Sequence, residues 1–130
     1  MEGVTFYREH PFQAQPQKGQ IILTLFGATL TCYGPKDGKP IFIIPSLINT
    51  SQILDLYDDV SLISYLVKDN FQVFCLEWGE PDSNHLPFEL TDYFTKILLP
   101  FLGHIQLMTH KNPHIMGYCM GGIFGLLLGQ

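Results

Sequence analysis

The residues best suited to chemistry lie near the end of the 130-residue sequence, in Gly117-Tyr118-Cys119-Met120-Gly121-Gly122. A thiol with glycine two positions away on either side has the Gly-x-nucleophile-x-Gly spacing of a nucleophile elbow, with Cys where Ser is usual. The spacing has a mechanical reason. A nucleophile on a tight, strained turn brings its neighbours against each other, and Gly117 and Gly121 remove the side chains that would clash. A helix beginning just after the turn points its positive end at the sulfur and favours thiolate over thiol. The backbone N–H of Met120 then faces the oxygen of a reacting carbonyl. One such donor contributes about 3 kcal/mol in the transition state.

The pattern admits other readings. Cys119 could be a small buried residue, with glycines that merely allow a helix to approach a strand. The Gly121-x-x-x-Gly125-x-x-x-Gly129 ladder could be a membrane-helix contact, but the apolar stretch from Ile115 to Gly129 is shorter than the roughly 20 residues a span needs. A phosphate loop is a weaker reading still, because no Gly-Lys-Ser/Thr follows.

The elbow reading requires a strand before it and a helix after it, and the chain supplies both. His114–Met116 reads as a short strand after Asn112-Pro113, and an apolar helix-like run closes the chain. Upstream, Ile41-Phe-Ile-Ile44 is a continuous apolar run, as in a strand buried on both faces of a parallel sheet. Gln72–Trp78 reads the same way, with Cys75 at its centre. Ser61 caps a predicted helix to about Asn70, with Leu62, Ile63, Leu66 and Val67 as its apolar stripe. Thr91 caps a longer one to about Met108, kinked at Pro100. Ile21–Leu25 and Thr29–Tyr33 are short β-prone runs, and Gly34-Pro35-Lys36-Asp37-Gly38 is a turn. Residues 1–20 form a loose arm with a short strand at Val4–Tyr7, and residues 21–130 form the core. Strands alternating with helices predict an α/β fold built on a parallel sheet.

Composition is compatible with one small domain. The chain is 46% hydrophobic and 15% charged, enough apolar content for a core. Seven basic against twelve acidic residues give net charge −5, with no basic run, so a nucleic-acid groove is not expected. Three widely spaced cysteines, Cys32, Cys75 and Cys119, do not make a disulfide scaffold. A reducing, cytoplasmic setting fits, and the N-terminus has no apolar signal core. No metal site is expected. His110 and His114 are an i, i+4 pair, but Pro113 between them disfavours a helical ligand pair.

Six segments together resemble the α/β-hydrolase core of the polyhydroxyalkanoate synthases. They are Ile41-Phe-Ile-Ile-Pro-Ser-Leu-Ile-Asn49, Ile53-Leu-Asp-Leu56, Ser61-Leu62, Glu77-Trp-Gly-Glu-Pro-Asp82, Leu90-Thr-Asp-Tyr93 and the Cys119 motif. They occur in the family's order over roughly residues 40–130. A plain esterase would have Ser at 119. The resemblance implies an acyltransferase that polymerises (R)-3-hydroxyacyl groups from coenzyme A thioesters into storage polyester, with no further cofactor. Cys119 matches the nucleophile that carries the growing chain. It implies an oxyanion hole from the N–H of Met120 and one from the Leu47–Ile48 loop, taken as Ile48. Asn49 and Asp55 match family positions and read as loop-shaping. The Trp-Gly-x-Pro-Asp form leans toward synthases that work with a second subunit.

In this fold an acid and then a His follow the nucleophile. No Asp, Glu or His follows Cys119, and the five histidines (His10, His85, His104, His110 and His114) all precede it. Each reads as a surface or satisfied core residue. The sequence therefore reads as an incomplete hydrolase-type sheet, broken off just after the elbow and inactive alone. The strand at Ile115–Met116 would be an open edge inviting self-association. Two further readings remain: a piece of another thioester or ester hydrolase, and a non-catalytic remnant.

Overall fold

In a computed structural model, the structure describes residues 17–57, 59–79 and 88–129, together with Thr5. The strand expected at Val4–Tyr7 otherwise lies outside the described residues, and at Thr5 the backbone is helical, not extended. His10, His85 and Glu80-Pro81-Asp82 also lie outside them.

Five strands form one sheet: β1 (Gln20–Leu25), β2 (Ala28–Tyr33), β3 (Lys39–Ile44), β6 (Phe71–Glu77) and β7 (His114–Gly117), in the order β1-β2-β6-β3-β7. Two short strands, β4 (Asp55–Tyr57) and β5 (Val60–Ser61), pair separately after a 3-10 turn at Ser51–Leu54. The sheet is mixed, which corrects the wholly parallel expectation. β3 runs parallel to β6 and β7, whereas β2 is antiparallel to both β1 and β6. The turn accounts for the β1–β2 pairing. Phe26 and Gly27 both have positive φ, 49° and 77°, as a two-residue hairpin turn that matches strand twist requires.

The α/β alternation holds from β3 onward. Helix α1 (Leu62–Lys68) is capped by Ser61, whose Oγ accepts from Ser64 N at 2.9 Å. Ser61 also donates to Asp55 at 2.6 Å, and Asp55 accepts from Gln17 N at 2.6 Å. Asp55 is thus a buried loop-shaping residue. The second helical run starts earlier than the Thr91 cap predicts: Glu89 N donates to Asp92, the reciprocal half of a capping box. It passes from Leu90–Asp92 through a π-helical stretch, Tyr93–Leu98, into α2 (Leu99–Thr109). The widened turns end just before Pro100, the residue that cannot donate to the ladder. Helix α3 (Gly121–Leu128) closes the described chain.

The helices cover both faces of the sheet. One core packs Phe42, Ile44, Phe74 and Leu76 against Ile97, Phe101, Ile105 and Phe124. The other packs Ile41, Ile43, Val73 and Cys75 against Ile63 and Leu66. The alternation of β3 and β6 residues between two apolar layers explains their continuous hydrophobic runs. β7 pairs only with β3 and forms the sheet's edge among the described residues. Among them no helix is long and apolar enough to cross a membrane.

Candidate active site

β7 ends at Gly117, in register with Ile44, and the chain then turns sharply into α3. Cys119 occupies the corner with φ 56°, the left-handed region a non-glycine residue enters only at a cost of about 1–2 kcal/mol. Its side chain is exposed. The corner is held by Tyr118 N donating to Ile44 O at 2.9 Å and Gly121 N to Tyr118 O at 3.0 Å.

The glycines differ in what they make possible. A Cβ on Gly117 would meet the carbonyl of Gly121 and lie 2.5 Å from the Cα of Gly122. A Cβ on Gly121 would meet the carbonyl of Ile44 and lie 2.6 Å from that of Pro45. Both are backbone collisions between the elbow, the helix and the end of β3. At Gly122 the nearest atom is 3.8 Å away, so that position has room for a side chain. Gly117 and Gly121 are required sterically, and Gly122 is not.

The expected donors are placed as follows. Gly122 N bonds to Cys119 O at 3.0 Å and Ile123 N to Met120 O at 3.1 Å, so the first N–H groups of α3 turn inward. Among the described residues the N–H of Met120 has no protein acceptor, and it follows the sulfur directly. The N–H of Ile48 reaches Ser46 Oγ at 3.4 Å, a long contact that holds it weakly. Ile48 shares the wall of a cavity of about 670 Å³ with Asn49, Thr50, Gln52, Ile53, Leu56 and Tyr118. The loop after β3 and the elbow thus border one space. A second cavity of about 380 Å³ runs between α3 and the start of the second helical run. It is lined by Leu90, Thr91, Phe94, Thr95, Met120, Ile123, Phe124 and Leu127.

No described histidine joins the sulfur. His114 begins β7 opposite Ile41, at the far end of the strand from the elbow, and its ring stacks edge-on to Phe71. His110 caps α2 in the left-handed conformation, and His104 lies within α2. Among the described residues no cluster of His, Cys, Asp or Glu could hold a metal. The other thiols are quiet. Burial, with Glu77 and Asp55 nearby, pushes Cys75 up to about 12, and burial raises Cys32.

Sequence reasoning missed how Trp78 and Tyr118 shape the site. In the sequence Trp78 reads as the end of a buried strand and as part of a resembling segment. It packs against Phe124 and Tyr93 with ring centroids 5.6 and 5.7 Å away, and its indole donates to Pro45 O at 3.1 Å. Glu77, beside it, accepts from Ser51 N at 2.7 Å. Tyr118 occupies an unassigned position of the motif, and its N–H ties the corner to β3.

The fold and corner define an α/β protein that presents a cysteine between a strand and a helix. No family model matches the chain. It is 33% identical over 89 residues to a poly(3-hydroxyalkanoate) polymerase subunit PhaC of Haloferax mediterranei, covering 68% of this chain and 18% of that protein. It is 29% identical over 85 residues to poly(3-hydroxyalkanoate) polymerase 2 of Ectopseudomonas oleovorans, covering 65% and 15%. With the Synechocystis sp. polymerase subunit PhaC it shares 28% over 117 residues, covering 89% and 30%. The chain belongs to the poly(3-hydroxyalkanoate) polymerase family and spans less than a third of the length of these relatives.

Proposed function

We propose that residues 21–130 form part of an α/β-hydrolase-type core carrying the nucleophile half of a hydroxyacyl-coenzyme A polymerase site. The observation that carries this reading is the exposed Cys119 at φ 56° on a strand–turn–helix corner, in a chain similar to polymerases of this class. The Cys119 thiolate attacks the thioester carbonyl, and the tetrahedral oxyanion takes the N–H of Met120 and that of Ile48. To serve, Ile48 exchanges its long contact with Ser46 for the oxyanion. The C–S bond to coenzyme A then breaks, its sulfur leaves with the electron pair and takes a proton, and the acyl group stays on Cys119. Sulfur suits both roles, being a good nucleophile and an equally good leaving group. The polyester product grows by repeated transfer from this thioester. Gly117 and Gly121 hold the corner, and a reducing, cytoplasmic setting keeps the thiol free.

These 130 residues supply no acid or His after Cys119, so on their own they are expected to acylate at most once and not to turn over. Incubation with 3-hydroxybutyryl-coenzyme A followed by peptide mass spectrometry tests this. The expected result is one acyl group, on the Cys119 peptide, and none in Cys119→Ser. Acylation distributed over Cys32 and Cys75, or none at all, overturns the nucleophile. Sustained polymer formation by these residues overturns the missing base.

A further inference from the structure

The cavity of about 380 Å³ beside α3 begins at the residue after Cys119. Met120, Ile123, Phe124 and Leu127 stand at i, i+3, i+4 and i+7, so one apolar stripe leads from the elbow along α3. Adjacent Cα atoms are about 3.8 Å apart, so the stripe starts within reach of a group carried on the Cys119 sulfur. Leu90, Phe94 and Thr95 of the second helical run line the same space.

Its walls suit a hydrocarbon. The Thr95 hydroxyl donates to Thr91 O at 2.9 Å, so that polar group is already satisfied within its own helix. Phe124 is buried and fixed against Trp78, with ring centroids 5.6 Å apart. Leu90, Ile123 and Leu127, in contrast, remain about half exposed or more. Phe94 and Thr95 belong to the π-helical stretch Tyr93–Leu98, and widened turns of this kind are frequent at functional sites. The cavity that Tyr118 lines differs. Asn49, Thr50 and Gln52 border it, and a hydrocarbon there would strip them of water.

On the reading of Cys119 as acyl carrier, we propose that the α3 cavity receives the alkyl substituent of the acyl group and selects 3-hydroxyoctanoyl over 3-hydroxybutyryl thioesters. Both groups present the same carbonyl to the Met120 N–H, so selection falls on chain length. A cavity of roughly 150 Å³ holds a benzene molecule. The α3 cavity therefore has room for the pentyl substituent of 3-hydroxyoctanoyl, whereas the methyl of 3-hydroxybutyryl leaves it mostly empty.

Binding is read in the full Cys119→Ala chain, which cannot be acylated at that position, through the fluorescence of Trp78, the one tryptophan of the sequence. 3-Hydroxyoctanoyl-coenzyme A is expected to bind at least about tenfold more tightly than 3-hydroxybutyryl-coenzyme A. Complete burial of the added methylenes, at about fourfold each, sets the upper limit. Thr95→Phe fills the cavity and Ile123→Ser removes apolar wall, and each should cut the ratio to about threefold or less. Both positions are exposed, so these variants keep the fold. Equal affinity for the two thioesters, no saturable change with either up to ~1 mM, or a ratio that survives both substitutions overturns the inference. Acylation of Cys119 in the parent chain is followed separately by mass spectrometry. Loss of the ratio with acylation intact sinks only the cavity assignment, and a preserved ratio without acylation sinks only the nucleophile.

Discussion

The indole Nε1 of Trp78 donates to the carbonyl oxygen of Pro45 at 3.1 Å, joining the exit of β6 to the exit of β3. The same Pro45 carbonyl lies 2.6 Å from where a Cβ of Gly121 would sit, and the preceding Ile44 carbonyl receives Tyr118 N. One buried hydrogen bond therefore fixes the backbone against which the elbow is built. Trp78→Phe keeps most of the apolar contact and strands a buried carbonyl, so a loss of about 1–3 kcal/mol is expected in urea unfolding. Trp78→Ala also opens a cavity against Phe124 and should cost about 3–5 kcal/mol.

The glycines give a sharper contrast. Gly117→Ala and Gly121→Ala each push a methyl into backbone, which cannot swing away as a side chain can. Each should cost about 3 kcal/mol or more, or displace the elbow. Gly122→Ala meets nothing closer than 3.8 Å and removes a flexible residue from the first turn of α3. It should be neutral or stabilise by up to about 1 kcal/mol. Chemical denaturation of the three variants checks the order, and equal losses would mean that the corner is not held by these contacts.

The strands and helices around the elbow were legible because their signals are local. Ile41–Ile44 is apolar throughout since both faces are covered, and Ser61 sits three residues before the amide it caps. The motif at 117–122 announced its own turn. What was not legible depended on distant partners. Nothing in Ile21–Leu25 or Thr29–Tyr33 says that β2 will run antiparallel beside β6; the hairpin turn at Phe26-Gly27 fixes only its pairing with β1, and Phe at positive φ is no sequence signal. The need for glycine at 121 but not at 122 comes from the Ile44 and Pro45 carbonyls, more than seventy residues earlier. The π-helical stretch ahead of Pro100 likewise could be expected only as a kink.

Thiol reactivity separates the three cysteines. Cys75 is buried in β6, and its thiol, raised to about 12, is roughly 10⁻⁴ ionised at pH 8. Cys32 is half-buried and also raised. Cys119 is exposed and should react with a soluble alkylating reagent at least about a hundredfold faster than Cys75. Stopped-flow labelling should show one fast phase that Cys119→Ser removes. Comparable rates at 75 and 119 would show that the thiol is not presented in the open.

Alkaline pH should loosen the core before acid does so through these groups. Burial raises Cys75 from 9.0 to about 12 and Tyr33 from 10.0 to about 12, both by penalising the anion. The folded state therefore holds these protons more tightly than the unfolded chain. Their contribution is fully present below the unfolded values and is lost as pH rises from about 9 towards 12. The unfolding midpoint should fall over that window. Cys75→Ala lowers stability at every pH by leaving a small cavity, but it should flatten the slope between pH 9 and 12, because the buried proton is gone. A slope unchanged in Cys75→Ala and in Tyr33→Phe would place the alkaline transition on other groups.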